Sequence, residues 1–205
     1  MNSQPKRPYR ENLTSHGLIY MGEKEHEVTV QNLSITGALA ELNNNWHGED
    51  IKHIFNILSV STTVDLYLPE LRLAGEAEVV RADTTEDNHI VLGLEFKDVA
   101  YYVDKWQFKR KAYRKNLSDV GHILLNGEYY DFISINVSVD GLMIHITESI
   151  AVEEGTVTQF EFKRLRLHGD IKVIWVDTLP AGTFIGLQYL NIQKDDIRGV
   201  PCFYK

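Results

Sequence analysis

Laid over itself with a displacement of 104 residues, the chain matches Tyr9–Leu39 to Tyr113–Met143 without a gap, and nine of those 31 positions are identical. About two identities would be expected from ordinary residue usage. The identical pairs are Tyr9/Tyr113, Arg10/Arg114, Asn12/Asn116, Leu13/Leu117, Gly17/Gly121, Ile19/Ile123, Asn32/Asn136, Ser34/Ser138 and Gly37/Gly141. A repeat of this length means two copies of one small fold rather than one large domain. Further along, Ala77–Asp83 parallels Ile171–Asp177 at a displacement of 94, and Gly93-Leu94-Glu95-Phe96 parallels Gly186-Leu187-Gln188-Tyr189 at 93. The first copy therefore carries about ten extra residues, which the sequence places between Asn43 and Ser61. Two domains are expected, 1–104 and 105–205.

Within each copy the hydrophobic period is two. Val64, Leu66 and Leu68 alternate with polar neighbours, as do Leu142, Ile144 and Ile146, the pattern of strands buried on one face. Short strands parted by Gly, Asn and Asp turns such as Asn126-Gly127 predict a mostly β protein made of two tandem small antiparallel barrels. Helical spacing appears twice. Ile51, Ile54, Phe55 and Leu58 share one face of a short helix within the 43–61 insertion, which would plug a barrel end or pack on the sister domain. Val99, Tyr102, Val103 and Trp106 predict a second short helix at the domain junction.

Charge and composition narrow the function. A net charge of −8 opposes broad binding to nucleic acid, which draws on many Lys and Arg contacts to phosphate. The apolar run Ile54–Val60 is far too short to span a bilayer. The first eleven residues are polar and do not read as a secretory signal, and the single cysteine, Cys202, forms no internal disulfide, so the expected compartment is the cytoplasm. Gly-x-Ser-x-Gly, Walker A, Gly-x-Gly-x-x-Gly and His-Glu-x-x-His motifs are all missing from the sequence, and no enzyme is expected. The eight histidines are scattered without ligand-like spacing, so neither a metal site nor a cofactor is expected. Trp46, Trp106 and Trp175 read as core or interface residues. The acidic runs Glu23–Glu27 and Thr84–Asp87 read as solvated hairpins.

Two short basic clusters interrupt the acidic background, Lys6-Arg7-Pro8-Tyr9-Arg10 and Lys109–Lys115. The second contains Arg-x-x-x-Arg (Arg110, Arg114), and 22 residues after Arg114 comes Asn-x-Ser-x-x-Gly (Asn136, Ser138, Gly141). The same interval separates Arg10 from Asn32, Ser34 and Gly37 in the first copy. A guanidinium forks onto phosphate or onto the O6/N7 edge of guanine and also stacks on a flat base. Asn136 and Ser138, two apart on a strand end, would present an amide and a hydroxyl from one face. Gly141 would allow a sharp turn or a close ligand approach.

These paired motifs resemble the PilZ family of cyclic di-GMP receptors, and the resemblance extends over both halves. It implies a cyclic di-GMP site in domain 2 formed by Lys109, Arg110, Arg114, Asn136, Ser138 and Gly141. A second, weaker site would lie in domain 1 at Lys6, Arg10, Asn32, Ser34 and Gly37. Lys6 stands where Arg110 does and lacks the planar fork. In the family a basic residue at the position of Lys109 accompanies binding of an intercalated ligand dimer; Pro5 stands there in domain 1. The function implied is a receptor or adaptor that changes interdomain arrangement on binding cyclic di-GMP and acts on a downstream protein. The alternatives are a cyclic di-GMP-dependent transcriptional regulator and a ligand-free interaction scaffold.

Overall fold

The computed structural model describes residues 14–43, 48–101, 112–192 and 197–203, and the chain separates into two compact units, Met1–Arg110 and Lys111–Tyr204. The first unit is a closed antiparallel barrel of six strands, β1 (Ser15–Met21), β2 (Lys24–Ser34), β3 (Gly37–Leu42), β4 (Thr63–Leu68), β5 (Leu73–Thr84) and β6 (Ile90–Tyr101). Around the ring the order is β1-β2-β3-β6-β5-β4, and β4 closes it against β1. The second unit repeats the plan with β8 (Val120–Leu125), β9 (Glu128–Val137), β10 (Gly141–Ile146), β11 (Val157–Phe162), β12 (Leu167–Leu179) and β13 (Gly182–Tyr189). Pairing of β9 with β10 closes this ring, and a two-residue strand, β7 (Lys115–Asn116), pairs with the end of β9 at Asn136 and Val137, beyond the stretch paired with β8.

Local chemistry makes these hairpins. Gly22 and Glu23 link β1 to β2, and Asn126 and Gly127 link β8 to β9, all four with positive φ. Two-residue turns of this kind match the right-handed twist of the strands they join. Each barrel has its own core. Ile19, Val28, Val30, Leu42, Leu66 and Leu92 fill the first; Ile123, Phe132, Ile144, Phe162, Val173 and Ile185 fill the second.

The ten surplus residues lie between β3 and β4, as the spacing predicted: twenty residues part those strands, whereas ten part β10 from β11. The longer connection carries α1 (Gly48–Val60), which closes one end of the first barrel. Ile54 and Leu58 are buried in its core, with Ile51 and Ile57 packed against it, and Ile57 lies on the glycine turn at Gly22. The expected face was partly wrong. Phe55 is 37% exposed, because the helix turns the stripe through Ile51, Ile54, Ile57 and Leu58 inward. The junction helix is overturned where it can be seen, since Val99 lies in β6 opposite Gly75. Tyr102, Val103 and Trp106 lie outside the described residues. Among the described residues α1 is the one α-helix, and none is long and apolar enough to cross a membrane.

Candidate functional site

The Asn-x-Ser-x-x-Gly motif is the end of β9, the turn that follows it and the start of β10. The Ser138 N–H and hydroxyl both donate to the Gly141 carbonyl, at 2.8 and 3.1 Å, and the hydroxyl accepts from the Asp140 N–H at 3.3 Å. Ser138 is buried. Its hydroxyl thus stabilises the turn. A Cβ on Gly141 would lie 2.0 Å from the Leu187 carbonyl oxygen of β13. The close approach that demands glycine is that of a neighbouring strand.

The first barrel repeats this arrangement. Ser34 donates to the Gly37 carbonyl at 3.1 Å and accepts from the Thr36 N–H at 3.3 Å. A Cβ on Gly37 would meet the Leu94 carbonyl oxygen at 2.0 Å.

Arg114 is brought to this turn by the segment that enters the barrel. Ala112 and Leu117 pack against the core, Tyr113 packs on the buried Phe203 with ring centroids 5.3 Å apart, and Asn116 pairs with Asn136. Ser134, which the sequence did not single out, fastens the same segment. Its hydroxyl donates to the Leu117 carbonyl at 2.6 Å and accepts from the Asp119 N–H at 3.0 Å. Arg114 is left on the outside with its Nη1 3.5 Å from Asn136 Oδ1, while the Asn136 amide nitrogen donates to Met143 Sδ at 3.7 Å. Of the predicted residues, Arg114, Asn136, Ser138 and Gly141 therefore meet at one place. Asn32, Ser34 and Gly37 meet in the first barrel. Lys109, Arg110, Lys6 and Arg10 lie outside the described residues.

Beyond the turn, strand register builds an outer face that the sequence did not reveal. Asn136, Met143, Gly186 and Trp175 stand side by side across β9, β10, β13 and β12. The next outward row is Gly141, Gln188 and Lys172. In the first barrel the same rows read Asn32, Leu39, Gly93 and Arg81, then Gly37, Glu95 and Glu78. A groove of about 260 Å³ runs along that first-barrel face past Asn32, Gly37, Gly93, Arg81 and Glu95.

The charges differ between the two faces. Beside the second-barrel turn stand an amide and an ammonium, whereas beside the first stand two carboxylates. Lys97 bridges Glu78 at 2.9 Å and Glu95 at 2.8 Å. That contact holds the Glu78 carboxyl below its usual range and the Lys97 amine above its own.

Trp175 is not a core residue. It is half-buried on the outer face, while its neighbour Val176 packs on the core. Trp46 and Trp106 lie outside the described residues. His122 and His168, read as scattered, are both register neighbours of Glu161, and His122 Nδ1 is 2.6 Å from Asp131. They border a depression of about 560 Å³. Among the described residues no cluster of His, Cys, Asp or Glu is arranged to hold a metal.

The sequence profile of the PilZ domain matches residues 108–201. No curated protein sequence matches the chain. Three solved structures resemble it at low identity. E. coli YcgR in complex with c-di-GMP is 10% identical, covering 87% of this chain and 77% of that one, with a TM-score of 0.33. The Bacillus subtilis inhibitor of motility, MotI/DgrA, is 10% identical, covering 90% of each chain, at 0.37. The K. pneumonia MrkH–c-di-GMP complex is 13% identical, covering 89% and 81%, at 0.34. TM-scores of this size establish neither a shared site nor a shared partner. The profile match falls on the barrel in which Arg114, Asn136, Ser138 and Gly141 converge, and a barrel of the same plan precedes it: residues 108–201 are the part of the chain that matches the PilZ domain.

Proposed function

We propose that the protein is a cytoplasmic receptor for cyclic di-GMP without catalytic activity, and that its principal site is the outer face of the second barrel. The observation that carries this reading is the placement of Arg114 against Asn136, beside the Ser138–Gly141 turn, within a matched PilZ domain. Arg114, with Arg110 and Lys109 preceding it, supplies charge and planar forks for two phosphates and guanine edges. Asn136 supplies an amide, and Ser138 and Gly141 shape the turn that holds it. YcgR and MrkH are solved with the same ligand.

The first barrel, through Lys6, Arg10, Asn32, Ser34 and Gly37, is a weaker site. Its Glu78 and Glu95 stand where Lys172 and Gln188 stand in the second barrel, and a doubly anionic ligand is repelled by carboxylates. Binding is read out by a downstream protein through a change in interdomain arrangement, since the ligand-clasping segment 109–114 is also the chain that joins the two units.

Titration calorimetry of the intact chain tests the ligand and the number of sites together. Strong preference for cyclic di-GMP over GMP is expected, because one guanine half cannot engage the arginines and Asn136 at once. Equal affinity for the two would overturn the assignment.

A further inference from the structure

We infer that the groove on the first barrel, with the exposed aliphatic side chains Ile35, Val60 and Val80 at its edge, is a docking surface for a downstream protein. The segment it takes carries lysine or arginine beside an apolar side chain. The inference rests on the receptor reading above for the partner's role, and adds where that partner docks and by what chemistry.

Ile35 is 83% exposed, Val60 88% and Val80 59%, and all three lie near one ion-paired cluster. Ile35 sits in the turn whose Thr36 carbonyl accepts the Phe96 N–H at 2.9 Å, next to Glu95. Val80 is the bulged residue of β5, two places beyond Glu78. Val60 ends α1, two residues before Thr62, whose carbonyl accepts the Val79 N–H at 2.8 Å. Aliphatic side chains held in water around polar groups are what the centre of a protein interface requires. The groove they border holds about 260 Å³, below the range of about 300–1,000 Å³ usual for small-molecule pockets. It fits the side chains of a passing segment better than a dinucleotide. Asn32 and Gly37 line it as well, so a nucleotide held weakly by this barrel competes with the partner.

Charge selects the occupant. Positions 14–101 hold fifteen Asp and Glu against five Lys and Arg, a balance of −10, while the rest of the chain together carries +2. The acidity of the protein is thus that of its first barrel, and such a field attracts a basic partner and repels nucleic acid. Lys97, which bridges Glu78 and Glu95, is exposed, and a partner's ammonium or guanidinium can take its place. The second barrel builds the same corner differently. Val139, the counterpart of Ile35, is 2% exposed, and Lys172 and Gln188 stand in place of the two carboxylates.

Titration of the intact chain with a fluorescein-labelled peptide of alternating lysine and leucine tests this, beside lysine–serine and glutamate–leucine peptides. The lysine–leucine peptide alone should bind, more weakly as salt is raised, and amide chemical shifts in NMR should change chiefly at the Ser34–Gly37 turn, Val80 and Glu95. Ile35→Ser should weaken binding about tenfold, and Glu78→Gln with Glu95→Gln about fivefold. Glu86→Gln with Asp87→Asn removes the same charge from the tip of the β5–β6 hairpin and should change it less than twofold. Absence of binding, equal binding of the lysine–serine peptide, equal loss in the hairpin variant or shifts gathered elsewhere would overturn the docking surface. Self-association of the chain that Ile35→Ser abolishes would overturn it too, because the occupant would then be a second copy. All these variants should bind cyclic di-GMP at the second barrel as the parent does. A parent that takes the peptide on this face but not cyclic di-GMP would overturn the receptor reading and leave the docking surface standing.

Discussion

Ser138 and Gly141 show how a binding motif can consist of residues that need not touch the ligand. The serine hydroxyl is engaged with the Gly141 carbonyl and the Asp140 N–H, and the glycine is pressed against the Leu187 carbonyl, so both act by fixing where Asn136 stands. On the receptor reading proposed above, contact is assigned to Arg114 and Asn136. Arg114→Ala should cost a charge-assisted, forked interaction of about 1.5–3 kcal/mol, roughly tenfold to more than a hundredfold in affinity by calorimetry. Arg10→Ala should leave the tightest binding event nearly intact, and the opposite ranking would move the principal site to the first barrel. Gly141→Ala, by contrast, should lower stability by about 1–3 kcal/mol in denaturant unfolding through overpacking against β13. Motif residues such as these were legible in the sequence because both copies keep them at one spacing. Trp175 was not legible, because a period-two reading places it inside until the bulge at Ile174 reverses the phase.

At the scale of elements, α1 is the feature that separates the two barrels. Ile54 and Leu58 are buried at the end of the first barrel, whereas in the second a ten-residue connection without α-helix covers the same step from β10 to β11. Ile54→Ala should cost about 2–5 kcal/mol in the unfolding of the first unit, followed by circular dichroism, and should leave cyclic di-GMP affinity at the second barrel unchanged. A large affinity loss would mean that the units do not bind independently. The existence and position of this helix could be read from the length difference between repeats and from apolar spacing. Its inward face was misjudged at Phe55, since Ile51, Ile54 and Leu58 fit a stripe with either Phe55 or Ile57, and only packing against Gly22 selects Ile57. Of the helix expected at the junction only Val99 lies among the described residues, and there it belongs to a strand that continues to Tyr101.

For the molecule as a whole, duplication was the most legible property, because it rests on identities over 31 positions rather than on local propensity. Less legible was the contrast in charge between equivalent faces, since Glu78, Glu95, Lys172 and Gln188 become neighbours of the motif only through strand register. If binding redirects the segment that joins the units, the distance between labels at Glu86→Cys and Glu154→Cys, in a Cys202→Ala background, should shift on saturation with cyclic di-GMP. Identical distance distributions despite full occupancy would exclude the junction as a switch. To move the population from 1:99 to 99:1 the ligand must favour one arrangement by about 5.5 kcal/mol. The tilted contact of Tyr113 with Phe203 has a consequence of another kind. It brings the entry and exit of the second barrel side by side, so the domain is topologically almost a loop. Joining position 203 to position 112 through a short linker and opening the chain at the Asn126-Gly127 turn would give a circular permutant with every barrel pairing but the β8–β9 turn intact. In such a permutant Arg114 would be tethered from both sides, making the arginine arm a bridged strap instead of an incoming lead.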